Sequence, residues 1–252
     1  MIKAKRPRLE LLSKSFIQKI VDEAFLLLKK HGVFVENDEA LALLGQAGTD
    51  IDKTSRRIRF TRGLIEESLS SAPPAIKLYD RTGEKELVVG GDWVHFNPGS
   101  AAVTILDHET QAERKAMTED LIKFSRLTDL LAHLHFQSTG LISSEVPEEI
   151  ADVYRLYICL QYSSKPVVTG TFRVEGFKPM LEMLVATRGS EAGLAEKPLA
   201  IFDACPSPPL KWSNLTAQSL IDCSRAGIPS ELIAMGMTGA TSPVTIAGTL
   251  VQ

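Results

Sequence analysis

Cysteine is scarce in this chain: three residues among 252, at Cys159, Cys205 and Cys223. Their odd number argues against a secreted disulfide framework, and their wide separation against paired zinc-ligand spacing, so a reducing, cytoplasmic setting is expected. An excess of one charge sign is also absent. Lys and Arg total 28 against 31 Asp and Glu, a formal net charge of -3, which lacks the strongly basic face of a nucleic-acid binder. No apolar run approaches the roughly 20 residues of a membrane helix. The start, MIKAKRPRLELL, has basic residues but neither an apolar segment nor a cleavage site, so no export and no membrane contact are expected. Phosphate-cradling glycine patterns are missing too: Gly90, Gly91 and Gly239 read as turn glycines, because no Gly-x-Gly-x-x-Gly or Gly-Lys-Ser/Thr arrangement comes after them.

What remains is ordinary globular composition, 44% hydrophobic and 23% charged. The stretch Ser15 to His31 places Phe16, Ile17, Ile20, Val21, Ala24, Phe25 and Leu28 at helical spacing, with Ser15 as the expected cap and Gly32 closing the end. Asn37 and Asp38 cap a second helix from Glu39 to Gln46. RRIRF reads as a strand, Arg62 to Ser70 as a helix, and IKLYD and ELVVGG as strands. Residues 1–92 are therefore expected to form a helical, α+β layer packing on the remainder of the chain.

From Val94 the pattern changes. VHFNPG reads as a strand ending at a Pro-Gly break, and AAVTILD as an apolar run ending at Asp107, with the charges from Glu109 to Lys123 read as a solvated helix entry. Helices are expected at Thr118 to Asp129, Pro147 to Tyr162, Val174 to Thr187 and Asn214 to Ala226, alternating with strands in HLHFQST, PVVTGTF, PLAIFDA and LIAMGMTG. Such alternation builds a parallel sheet from βαβ units, and about five units are present where a closed barrel has eight. The expected fold class is α/β: residues 93–252 form the first part of a (β/α)8 TIM barrel, preceded by the N-terminal α+β layer. The closing TIAGTLVQ reads as the opening of a helix without a stop signal, so a truncated barrel is expected.

Parallel α/β folds carry their sites beyond the carboxyl ends of the strands. The candidate ends are HFNPGS, HFQSTG, TGTF, FDACPSPPLKW and MTGATSP, each rich in small, hydroxyl or aromatic residues and poor in charge. Prolines 206, 208 and 209 stiffen the fourth of these. Asp203 there could hold a positive charge on a ligand or bond its own loop, and Cys205 reads as a packing thiol.

The runs GGDWVHFNPGSAAV, QST, KPVVTGTF, EKPLAIFDACPSPPLKWS and GIPSELIAMGMTGATSPVTIAGTLVQ resemble the trimethylamine methyltransferase family, and the likeness extends from about Leu11 to Gln252. The resemblance implies a (β/α)8 barrel that moves a methyl group from a methylated amine or quaternary ammonium compound to the cobalt of a corrinoid protein. It also implies that members extend beyond the length seen here, some carrying pyrrolysine in that later region and others acting on quaternary amines such as glycine betaine.

On that reading Phe96, His135, Gln137, Phe172 and Asp203 are expected against the substrate, and Thr169, Thr171, Trp212, Thr238 and Gly239 against the corrinoid (methylcobalamin) of the partner protein. Aromatic faces suit a trimethylammonium head, and Phe96, Phe136, Phe172 and Trp212 are the candidates, with core packing or loop anchoring as their other use. No metal of its own is expected, no catalytic residue is assigned, and homo-oligomerisation stays open. Two alternatives remain. His133 and His135 alternate on one strand and, with His95, could ligate a divalent metal in a barrel hydrolase. The chain could also be a non-catalytic fragment, self-associating through an open sheet edge.

Overall fold

The computed structural model describes residues 10–252; the basic stretch 1–9 that opens the chain lies outside the described residues. In chain order the elements are α1 (Lys14–Lys30), β1 (Val33–Val35), α2 (Asp38–Gln46), β2 (Asp50–Asp52), β3 (Arg57–Arg59) and α3 (Arg62–Ser71). They continue with β4 (Ala75–Tyr79), β5 (Glu86–Gly90), β6 (Thr104–Leu106), β7 (Glu113–Lys115), α4 (Thr118–Leu130), β8 (Gln137–Ser138), α5 (Glu148–Tyr162) and β9 (Val167–Thr169). A 3-10 turn at Val174–Gly176 leads into α6 (Phe177–Arg188) and α7 (Glu191–Glu196). The rest are β10 (Ala200–Ala204), β11 (Lys211–Trp212), α8 (Asn214–Ala226), β12 (Ser230–Leu232) and α9 (Ile246–Val251).

Contacts divide these elements into two units: residues up to Leu69 with Ser207–Trp212 and Ala234–Gln252, and Ser70–Pro206 with Ser213–Ile233. In the first unit the helix α1 is capped by Ser13, two residues before the expected Ser15; the Ser13 hydroxyl accepts the Phe16 N–H at 3.2 Å. Asn37 caps α2 through the Ala40 N–H at 2.7 Å, as expected. The sheet order is β11-β1-β3-β2, and Val33, Val35 and Ile58 form its buried centre with Leu28, Leu41, Leu44 and Trp212 packed around them. Gly32 ends α1 with φ +62°, and a Cβ there would lie 2.1 Å from the Ile58 carbonyl oxygen. Gly32→Ala is therefore expected to cost more than about 1 kcal/mol, read as a lower urea midpoint at unchanged slope, because neither the backbone angle nor the contact can accept a methyl group.

The second unit holds the parallel sheet, with strand order β12-β10-β9-β8, chain-order neighbours joined through helices. This is the arrangement of a barrel wall. Its two faces have different partners. Val167, Ala200 and Phe202 pack toward Leu156, Cys159, Phe177, Met180 and Leu184 of the helices, whereas Val168 and Ile201 pack with Phe136 and Leu78, the latter on the β4–β5 hairpin.

Three further sequence expectations need correction. VHFNPG forms no strand: Pro98 has no donor and Gly99 sits at φ +87°. That segment still runs beside the next strand, tied by the Phe96 carbonyl to the His135 N–H at 3.0 Å and by the Ala102 N–H to the Gly140 carbonyl at 2.8 Å. LIAMGMTG is strand only as far as Leu232; the last tie to β10 is the Ile233 N–H on the Ala204 carbonyl at 3.1 Å. The charged stretch after Asp107 is not simply a helix entry, since Glu113–Lys115 pairs with Thr104–Leu106 as a hairpin. Arg114 holds that hairpin through Asp107 at 2.9 Å and Asp120 at 2.7 Å.

Candidate active site

Strand register brings two carboxylates together at the carboxyl ends of the parallel sheet. Asp203 lies two residues beyond Ile201 on β10, so the two share a face, and Asp203 is paired across the ladder with Glu231 on β12. Burial pushes the Asp203 pKa up to about 7, helped by a hydrogen bond shared with Glu231 and by the negative charge of that neighbour, while Arg155 pulls the other way. The pair therefore keeps one proton up to neutral pH and releases it above. The Oδ1 atom of Asp203 is buried and has no hydrogen-bond partner. Beside it, burial together with the charges of Asp203 and Glu231 raises the Cys205 thiol pKa, which keeps that sulfur protonated and unreactive.

A buried ion pair supports the same end of the sheet. Asp152 and Arg155, 4% and 2% exposed, stand one turn apart in the first half of α5, with Arg155 Nη2 at 2.9 Å from Asp152 Oδ1. Arg155 Nη1 donates to the Thr139 carbonyl at 3.0 Å, just past β8. The other Asp152 oxygen accepts the Phe172 N–H at 2.7 Å, just past β9. The Arg155 guanidinium lies 4.6 Å from the centroid of the Phe172 ring.

The residues singled out in the sequence separate into groups. Asp203, Thr171 and Phe172 lie at the carboxyl ends. Phe96 and His135 do not: β8 begins only at Gln137, so His135 precedes the strand, and the Phe96 carbonyl is bonded to the His135 N–H. Both residues therefore sit at the amino end of the sheet, opposite the expected mouth. His95 joins them there, with its ring 4.9 Å from that of His135 and its Nε2 at 2.6 Å from the Val88 carbonyl. Burial, then the charges of His95, His133 and Lys165, lower the His135 pKa, and its Nδ1 accepts the Phe96 N–H at 3.2 Å. Among the described residues no group of three or more His, Cys, Asp or Glu is placed to hold a metal ion.

Gln137 turns toward the helices, its Nε2 donating to the Ser138 carbonyl at 2.7 Å and lying 3.7 Å from the Cys159 sulfur. Thr169 is fully buried and its hydroxyl meets that of Thr139 at 3.2 Å. Trp212, Thr238 and Gly239 belong to the first unit. There Trp212 pairs with Val35, and the Thr238 hydroxyl bonds that of Thr249 at 2.8 Å. The proline-stiffened loop has a structural use in that unit: Ser207 and Lys211 exchange backbone hydrogen bonds of 2.8 and 3.1 Å, which turns the chain into β11.

Glu231, Asp152 and Arg155 were not among the sequence candidates. A carboxylate inside the otherwise uncharged run SELIAMG, and a charged pair at i, i+3 sharing a helix face with Leu156 and Cys159, were the signals available.

A parallel sheet with chain-order neighbours, helical crossovers and polar groups at the carboxyl ends defines a TIM-barrel-like α/β protein. In agreement, the fold matches a chain in a solved structure titled "Crystal structure of the hydroxylamine MtmB complex" with a TM-score of 0.55 at 12% identity, covering 94% of this chain and 55% of that one. The chain belongs to the trimethylamine methyltransferase (MTTB) family, whose model matches residues 1–252. A trimethylamine methyltransferase of Desulfitobacterium hafniense is 31% identical over 225 residues, covering 89% of this chain and 45% of that protein. A glycine betaine methyltransferase from another strain of the species is 25% identical over 245 residues, covering 97% and 50%. A trimethylamine methyltransferase of Methanosarcina thermophila is 25% identical over 236 residues, covering 89% and 48%. The chain thus spans about half the length of these curated relatives. Among the described residues no helix is long and apolar enough to cross a membrane.

Proposed function

We propose that the protein to which this chain belongs moves a methyl group from a methylated amine or quaternary ammonium compound, of trimethylamine or betaine type, to the cobalt of a corrinoid protein in the cytoplasm. In this reading residues 93–252 supply the first part of a (β/α)8 barrel, and residues 1–92 are the α+β region that precedes it, its β4–β5 hairpin packed through Leu78 against Val168 and Ile201 of the parallel sheet. The observation that carries the reading is the Asp203–Glu231 pair at the carboxyl ends, with a buried carboxylate oxygen that has no partner. Negative charge on a partly buried pair of side chains suits a ligand that carries permanent positive charge and offers no hydrogen-bond donors.

The chemistry asks little else of the chain. A quaternary nitrogen leaves as a neutral amine without a general acid, so the protein's part is position and electrostatics. Trimethylamine itself would need activation by a proton or an adduct. The corrinoid of the partner supplies the nucleophilic cobalt. Asp203 would hold the ammonium, Phe172 would line it, and Thr171 is the residue of the expected corrinoid set that stands at these strand ends. His135 and Phe96, at the other end of the sheet, have no part in this assignment.

The test is transfer by the full-length parent. Mixed with a reduced corrinoid protein and a panel of methylated amines, it is expected to give the methylated-cobalt absorbance with at least one of them. No transfer from any member of the panel rejects the proposal.

A further inference from the structure

We propose that Asp152 and Arg155 are positioning residues that clamp the loop after β9 and so fix the Phe172 ring as an aromatic wall for a methylated cation. The ligand in this inference rests on the function proposed above; the clamp rests on geometry alone. An aromatic ring that is 56% exposed at the end of a strand would ordinarily turn freely. Here its own backbone N–H is held by Asp152 at 2.7 Å, and one of its faces is covered by the Arg155 guanidinium at 4.6 Å. Arg155 is in turn fixed from below, by Asp152 at 2.9 Å and by the Thr139 carbonyl at 3.0 Å. The pair thereby ties the end of β8 to the loop after β9.

Charge balance leaves the open face of the ring usable. Asp152 neutralises Arg155 at contact distance, so a second cation approaching the other side of the ring meets no uncompensated positive charge. The loop also begins against the acidic pair: a Cβ on Gly170 would lie 3.5 Å from the Asp203 Cβ. Gly170 thus brings the start of the loop up to Asp203, and in this inference the ring two residues on and the carboxylates serve one ligand.

Tetramethylammonium is a suitable probe, because it has fixed charge and no hydrogen-bond donors. Titrated into the 252-residue chain and measured calorimetrically, it is expected to bind about tenfold more weakly to Phe172→Ala. Arg155→Lys keeps the charge and loses the flat, forked guanidinium, and it is expected to weaken binding about fivefold. That loss should vanish when Phe172 is already Ala, since Arg155 acts through the ring. Backbone exchange gives a readout without ligand: the Phe172 N–H should exchange slowly in the native chain and quickly in Asp152→Asn, while Val167 to Thr169 stay protected. Native-like binding by Arg155→Lys, losses that add in the double variant, or fast exchange at Phe172 in the native chain would each overturn the inference alone. No binding by the native chain, with Phe172 protected, would overturn the aromatic wall and the proposed substrate class together.

Discussion

Asp203→Asn is expected to abolish the pH dependence of cation binding and to make the chain more stable above neutrality. The sign comes from the direction of the shift. Burial and Glu231 raise the Asp203 pKa from 3.8 to about 7, so the folded state keeps a proton that the unfolded chain has already released in that window. The stability linked to this proton is complete below about pH 4, falls as pH rises toward about 7, and is then constant. Three units would correspond to roughly 4 kcal/mol, and partial solvent screening reduces this to about 2 kcal/mol. Asparagine does not titrate, so the variant should show no such fall between pH 5 and pH 8 in urea unfolding and should exceed the native chain by about 2 kcal/mol at pH 8. Binding moves the opposite way. Native affinity for tetramethylammonium should rise as the pair loses its proton, and the variant should be about tenfold weaker at pH 8 and flat with pH. A native chain whose affinity does not change between pH 6 and pH 8 would remove the pair from the site.

The parts of the fold that were legible in the sequence are those whose signals are local. Helix α8 runs from Asn214 to Ala226 as its sequence indicates, because Ser213 caps one end through the Thr216 N–H and Gly227 ends the other at φ +66°. Strand β10 was visible as a buried apolar run. Strand limits set by partners were not. HLHFQST contains a two-residue ladder, and no feature of that string says that pairing starts at Gln137, which is why His135 was expected at the wrong end of the sheet. Trp212 reads as a rim aromatic until its pairing with Val35, a partner far away in the chain, is known. The site divides in the same way. Asp203 announces itself as an acid at the end of an apolar strand, whereas Glu231 acquires its meaning only through the ladder that sets it beside Asp203.

Arg155→Ala is expected to be the most damaging single change at the carboxyl ends of the sheet, costing about 3–5 kcal/mol, through a different effect from Asp203→Asn. The side chains of Arg155 and Asp152 are 3% and 5% exposed, so truncation would leave a carboxylate buried with no cation in reach. It would also free the Thr139 carbonyl and uncover one face of Phe172. Most of this penalty belongs to the stranded charge and little to the attraction itself, since bringing the ions out of water offsets much of their mutual energy. The double variant Arg155→Met with Asp152→Leu separates the two contributions. It removes the attraction and the stranded charge together, and it should be at least about 2 kcal/mol more stable than Arg155→Ala although it carries one more substitution. Its Phe172 loop should nonetheless be loose, because no acceptor remains for that N–H, so recovered stability is expected without recovered cation affinity. Urea midpoints for the two variants, set beside their tetramethylammonium titrations, check both halves. A single variant that loses less than about 1 kcal/mol would mean that water reaches Asp152 and that the pair is not the buried support described.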